Sequence, residues 1–343
     1  MRIKLTLSLM VLVSIKTAGA EPLTELLSRE PCATSPDNYA QYVERQLGTF
    51  RQEAAAAAKL GLRTRSELEA RAAQLSPQDY ARRHRPGVVI CERLTYRSDG
   101  LRVVGYVWHP SQRTARRLPQ RLPVIVFSRG GVADDSKLRP NTQFGFFRFI
   151  EAGYAVVGTQ YRGNEGGEGR DELGGADVND VLNLLELARG FDFVDADKVF
   201  ALGYSRGAME TLLAARSGAP FKAVALVGLP ADMLKSRSTR SDEMYRKFIP
   251  DYDAKPEQAL RARSAILWPE RISMPMLLLQ GSADPLVLAH NNSIPFAARL
   301  GELHQSYELV VYDGDTHGVM LNARDRDQRI ISWFRRYERP IAP

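Results

Sequence analysis

From Val124 onward the chain repeats one pattern: a short apolar run rich in β-branched residues, then a segment of helical length. The runs are Val124–Phe127, Ala155–Thr159, Val199–Gly203, Ala223–Val227, Met276–Gln280 and Tyr307–Tyr312. Helices are expected between and after them at about 142–152, 176–190, 206–217, 290–300 and 323–338. A continuous apolar run has no polar face to leave in water. Such runs therefore fit strands covered on both sides, and crossover helices supply the cover in a parallel sheet. The fold class is α/β, with a mostly parallel central sheet and helices on both faces. Ahead of the repeat, Leu94–Tyr96 and Leu101–Trp108 flank Asp99-Gly100, which reads as an antiparallel hairpin with a tight turn.

One of these strand-to-helix junctions carries chemistry. Gly203-Tyr204-Ser205-Arg206-Gly207 lies between the run Val199–Leu202 and the helix expected from Arg206. A serine on such a turn needs strained backbone and small neighbours. In return its hydroxyl stands above the sheet at a helix N-terminus, where developing negative charge is favoured. A hydroxyl is a weak nucleophile until a base takes its proton. Among the five histidines, His317 sits in the turn Asp313–Gly318 just after the last strand, where this topology returns the chain to the sheet edge. Asp284, following the strand Met276–Leu279, is the expected carboxylate to orient the ring; Asp232 is the rival. The order Ser205, Asp284, His317 is that of the α/β-hydrolase fold. The oxyanion donors are expected to be the backbone N–H of Arg206 and that of Gly130 or Gly131, in the loop Ser128-Arg129-Gly130-Gly131.

Longer phrases run in the same order through residues 94–338. They are Tyr96–Leu101 leading into Gly105-Tyr106, Tyr161–Gly169, Asp177–Val181, the turn around Ser205, Leu279–Gly281 with Asp284, and Thr316–Gly318. With them the chain resembles the catalytic domain of the prolyl oligopeptidase family, above all its acylaminoacyl-peptidase and dipeptidyl-peptidase branches. The resemblance implies Ser205, Asp284 and His317 as a triad, an acyl-enzyme, and a peptide or small acyl substrate. The chain departs from the family at Ser128-Arg129-Gly130-Gly131, where relatives often carry His-Gly-Gly-Pro. No β-propeller pattern precedes the hydrolase segment, which leaves three readings: a peptidase, a carboxylesterase acting on small acyl esters, and a non-catalytic binding member of the fold. Tyr204, Tyr161 and Trp268 are read as substrate-pocket residues, and 229–271, on the hydrolase domain 91–343, either as a small lid or as an enlarged crossover packed on the sheet. Glu165, Glu168 and Asp171 are read as solvated loop residues, with a role in holding a substrate amino terminus as the alternative.

The N-terminus reads differently. Arg2 and Lys4, the apolar run Leu5–Ile15 and Ala18-Gly19-Ala20 have the form of a secretory signal peptide over residues 1–20, too short for a membrane span. The expectation is an exported chain, periplasmic or secreted, with no membrane association after signal removal. Residues 21–90 read as a helical N-terminal extension, including Tyr39–Leu60 and Ser66–Leu75. In an oxidising compartment the two cysteines, Cys32 and Cys91, can pair; the alternative is two separate thiols. Two cysteines and scattered histidines give no metal-ligand spacing, so neither metal nor organic cofactor is expected. The net charge of +7 sets 47 basic against 40 acidic residues without any nucleic-acid motif. Solvated arginine-rich faces account for it, and no nucleic-acid partner is expected.

Overall fold

The computed structural model describes residues 24–338 apart from 34–37, 65–75, 86, 112–117, 135–136 and 141–142. The leader 1–20 and the helix expected at Ser66–Leu75 lie outside the described residues. The chain runs β1 (Thr24–Pro31), α1 (Tyr39–Lys59), α2 (Pro77–Arg83), β2 (Val89–Ser98), β3 (Leu101–Pro110), β4 (Leu122–Ser128), α3 (Gln143–Glu151) and β5 (Ala155–Thr159). It continues with α4 (Val178–Arg189), β6 (Val194–Tyr204), α5 (Arg206–Arg216), β7 (Val224–Val227), α6 (Thr239–Phe248), α7 (Pro256–Arg263), β8 (Met276–Gly281), α8 (Ser293–Glu302), β9 (Tyr307–Tyr312) and α9 (Ala323–Tyr337). The nine strands form one sheet in the order β1-β2-β3-β5-β4-β6-β7-β8-β9. Pairing is antiparallel from β1 to β5 and parallel from β5 through β4 to β9.

Alternation along the buried strands sorts their side chains onto two faces. Val124, Val126, Val199, Ala201, Val224, Leu226, Met276 and Leu278 join a core with residues of α4, α5 and α8. Their neighbours Ile125, Phe127, Phe200, Leu202, Ala225, Val227, Leu277 and Leu279 join the other core with α3 and α9. The sheet is thus covered on both faces, as the uninterrupted apolar runs require. Crossovers leave the C-terminal ends of β4, β6, β7, β8 and β9 together at one edge, the edge at which open α/β sheets present their ligand sites.

One expectation needs correction. The 21–90 extension is not helical throughout, because Thr24–Pro31 is an edge strand paired with β2. Only Thr24 and Ser28 of this strand are even partly buried. The ladder holds it rather than an apolar face, so no alternation betrayed it. The segment 229–271 packs as an enlarged crossover, one of the two readings its sequence allows. Met233, Tyr245, Phe248, Tyr252, Leu260 and Trp268 are all buried within the larger core.

Cys32, just past β1, and Cys91 in β2 are disulfide-bonded with Cα atoms 5.4 Å apart, and Cys32 N also donates to Cys91 O (2.9 Å). The bond closes a 59-residue loop that carries α1 and α2. By loop-closure entropy it stabilises the fold by up to about 4 kcal/mol. Replacing both cysteines by serine is expected to lower the urea midpoint accordingly, with dithiothreitol producing the same drop in the native chain and none in the variant.

Candidate active site

β6 ends in the turn that holds Ser205. Its backbone adopts φ 54° and ψ −124°, outside the regions open to most side chains. Two close approaches hold it there. A Cβ on Gly203 would stand 2.5 Å from Gly207 O, and one on Gly207 would stand 1.9 Å from Ser128 O, so neither position admits a side chain. The turn is also tied sideways, with Ser205 N donating to Val227 O at the end of β7 (2.8 Å).

The next residue along β7 brings in the histidine. A Cβ built on Gly228 would lie 2.8 Å from Cε1 and 2.9 Å from Nδ1 of His317, so Ser205 and His317 flank the same strand end. The turn carrying His317 is shaped by buried Asp315, whose carboxylate accepts from the backbone N–H of Thr316, Leu321 and Asn322 (2.9, 3.1 and 3.0 Å). His317 Nδ1 faces Asp284 Oδ2 at 2.7 Å. Asp284 is itself fixed: Oδ1 accepts from Leu286 N and Val287 N (both 2.9 Å), and Oδ2 accepts from Gln280 Nε2 (2.9 Å). Asp232, the rival, instead accepts from Leu234 N and Lys235 N in its own turn (3.1 and 3.0 Å). Burial disfavours a charged His317 ring. The charge and hydrogen bond of Asp284 outweigh it, with Glu53 adding, and hold the ring above the ordinary histidine value.

Gly130 packs on Ser205, since a Cβ there would lie 3.3 Å from Ser205 Cβ. Its carbonyl accepts from Arg129 Nη1 (3.1 Å), and that of Gly131 from Arg206 Nη1 (3.1 Å). Because the peptide group is planar and trans, pinning the Gly130 carbonyl also fixes the direction of the Gly131 N–H. Arg206 opens α5, so its own N–H has no acceptor within the helix.

Below the turn lies a buried charge cluster that the sequence did not announce. Arg206 donates to both Asp171 oxygens (2.8 and 2.7 Å), to Glu210 Oε1 (3.0 Å) and to Asp177 Oδ2. Burial works against the Asp171 charge, but the Arg206 guanidinium holds that carboxyl below its ordinary value. Burial pushes the Glu210 carboxyl upward and the Asp177 charge adds to it, against the pull of the Arg206 guanidinium.

The expected pocket residues separate. Tyr204 lies half-buried beside Ser205. Tyr161 is fully buried, its ring under the guanidinium groups of Arg129 (5.2 Å) and Arg206 (4.4 Å), so it supports the site from beneath instead of lining it. Trp268 stacks on Arg216 (4.3 Å) at the far end of α5, about 15 Å of helix from Ser205. Both were read from aromatic character alone, which does not distinguish packing from contact with substrate. The loop acids are also engaged internally: Glu165 with Tyr106 (2.7 Å), Glu168 with Arg102 N (2.8 Å) and Asp171 with Arg206. Among the described residues no group of three His, Cys, Asp or Glu side chains is placed to hold a metal ion.

Residues 140–339, more than half of the chain, match the prolyl oligopeptidase family. The chain belongs to that family. It is accordingly a serine hydrolase. An uncharacterized peptidase, YtmA, of Bacillus subtilis is 27% identical over 227 residues, covering 65% of this chain and 84% of that protein. Acylamino-acid-releasing enzyme 1 of rice (Oryza sativa) is 26% identical over 237 residues, covering 63% of this chain and 30% of that protein. Among solved structures, the acylaminoacyl peptidase of Pyrococcus horikoshii superposes with a TM-score of 0.62 at 20% identity, over 78% of this chain and 45% of that one. The chain therefore spans less than half of the rice and Pyrococcus relatives, and the archaeal likeness is one of fold.

Removing the Arg206 charge would leave buried carboxylates facing each other. Arg206→Met is expected to cost about 3–5 kcal/mol of unfolding free energy in urea at neutral pH. Asp171 titrates below its unfolded value, so the contribution of the pair is complete above about pH 4 and is lost as pH falls through the lower folded value. The gap between native chain and variant should close on acidification.

Proposed function

We propose that this prolyl oligopeptidase-family chain cleaves acyl bonds of peptides through a Ser205–His317–Asp284 triad and a covalent acyl-enzyme. The observation that carries the reading is the strained Ser205 turn beside a histidine whose Nδ1 is bonded to a locked, buried aspartate. Asp284 fixes the tautomer, leaving Nε2 to take the Ser205 proton as Oγ attacks the carbonyl carbon. The tetrahedral oxyanion accepts from Arg206 N–H and from an N–H of Gly130 or Gly131. His317 then gives its proton to the leaving group, and the acyl group stays on Ser205. Water, deprotonated by the same ring, releases the acid and restores the serine.

Peptide substrates are favoured over simple esters because the family and the named relatives are peptidases. Carboxylesterase action on small acyl esters is the second reading. We place the protein in an oxidising, extracytoplasmic setting. The form of residues 1–20 supports this, as does the Cys32–Cys91 bond, which a reducing cytosol would not preserve.

A fluorophosphonate should label the native chain at Ser205 and leave Ser205→Ala unlabelled. Asp284→Asn should lower kcat by about 10³–10⁴. Activity requires neutral His317, so kcat/KM should rise with pH through an apparent value above the ordinary 6.5 of histidine. Aminoacyl amides should be turned over alongside p-nitrophenyl esters. Labelling with ester turnover alone would replace the peptidase reading by the esterase one, and absence of labelling would end both.

A further inference from the structure

The His317 loop has a neighbour from outside the hydrolase segment. α1 turns one stripe inward: Tyr42, Leu47, Phe50 and Ala57 are buried, and Val43, Gln46, Glu53 and Ala54 are partly so. Glu53 is the single charged side chain on that stripe, one turn from Phe50 and one from Ala57. The groups it interacts with electrostatically all belong to the loops at the C-terminal edge of the sheet: Thr316, His317, Gly318 and Asp284. Its Oε2 is shut off from solvent and has no well-formed hydrogen bond, and neither does the nearby Thr316 Oγ1. Packing alone would put an apolar residue at such a position, because burying a carboxylate costs several kcal/mol unless charge repays it.

We propose that Glu53 is a positioning residue of the catalytic machinery, a second carboxylate that α1 holds against the His317 ring to stabilise its imidazolium form. This rests on reading His317 as the base. When Ser205 Oγ gives its proton to His317, the ring gains a full positive charge in a site only partly open to water. Asp284 faces that charge from the loop after β8, and Glu53 faces it from α1. The remaining charged groups of the loop are directed elsewhere. Asp315 is spent on backbone N–H groups of its own turn, and Arg326 of α9 donates to Gly318 O (2.6 Å) and pairs with Asp327 (2.7 Å). Burial pushes the Glu53 carboxyl above its ordinary range, against the pull of Thr316, His317 and Gly318. The acid limb of the rate profile therefore reports His317 in the presence of the Glu53 carboxyl.

The sign of the effect is fixed. Glu53 raises the affinity of the ring for its proton, so removing the charge moves the acid limb down. The test compares the full-length native chain with Glu53→Gln, Glu53→Met and Glu53→Asp, using pH profiles of kcat/KM on one ester, fluorophosphonate labelling and Tm. Glu53→Gln should shift the limb to lower pH by about half to one unit and lower the plateau about 3- to 10-fold, with Ser205 still labelled. Glu53→Met fills similar volume without a polar group, so it should reproduce the shift even if the amide destabilises the fold. Glu53→Asp should recover part of the native profile. A limb that coincides with the native one in Glu53→Gln or Glu53→Met, whatever happens to Tm, overturns the proposal and assigns Glu53 to structure. Loss of labelling in the native chain would instead remove the reading of Ser205 on which the proposal stands, so the two failures are distinct.

Discussion

The left-handed backbone of Ser205 is the constraint around which the catalytic edge is organised. A non-glycine residue at φ 54° and ψ −124° costs on the order of 1–3 kcal/mol, and it persists only where its surroundings over-determine it. Here they do so from three sides. Gly203 and Gly207 let the turn fold onto the backbone of β4, Val227 O holds the Ser205 amide, and Arg206 anchors the first turn of α5 to Asp171, Asp177 and Glu210. The same arginine fixes the Gly131 carbonyl. One side chain thus couples the strained turn, the glycine loop after β4 and the segment before α4.

The family phrases acquire a physical meaning from this arrangement. Tyr161–Gly169 and Asp177–Val181 contain none of Ser205, Asp284 and His317. Arg162 instead pairs with buried Asp180 (2.7 Å) and with Asp99 in the β2–β3 turn (2.8 Å), while Ser98 Oγ donates to Asp180 (2.6 Å). These contacts lock the antiparallel hairpin to the parallel half of the sheet. Asp171 and Asp177 then reach Arg206 from the same loop. These family phrases are therefore largely scaffold beneath the Ser205 turn, and their ion pairs are buried, where removing one partner leaves an uncompensated charge.

The parallel sheet was legible because a buried strand can carry only apolar residues, and the turn at Ser205 because two close approaches leave glycine no substitute. The pairing of His317 with Asp284 followed from topology, which sets both on loops at one sheet edge. Other features had no such signature. β1 buries almost nothing, so its sequence Thr24–Pro31 carries no alternation and only the pairing with β2 and the bond to Cys91 reveal it. Tyr161 and Trp268 are aromatic residues near recognisable motifs, yet partners distant in sequence, Arg129 with Arg206 and Arg216, decide that they pack inward. Glu53 stands next to a run of alanines in a helix that reads as polar, and only its inward face distinguishes it from a solvated glutamate.

That inward glutamate bears on why the extension is attached as it is. A helix whose buried stripe contains a carboxylate gains less from packing than an apolar one, and α1 would be weakly held by its own interface. It is secured near its N-terminal end instead. The Cys32–Cys91 bond and the β1–β2 ladder fix the chain shortly before α1. Along α1 itself, Tyr39 and Tyr42 pack against Tyr80 of α2 with ring centroids 5.4 Å apart, and Tyr80 stacks on His84 at 3.7 Å. Arg82 of α2 in turn pairs with Glu151 at the end of α3 (2.9 Å). The anchoring thus lies away from Glu53, and with Glu53 acting on His317 as proposed, that position is set by charge and not by the demands of holding the helix down.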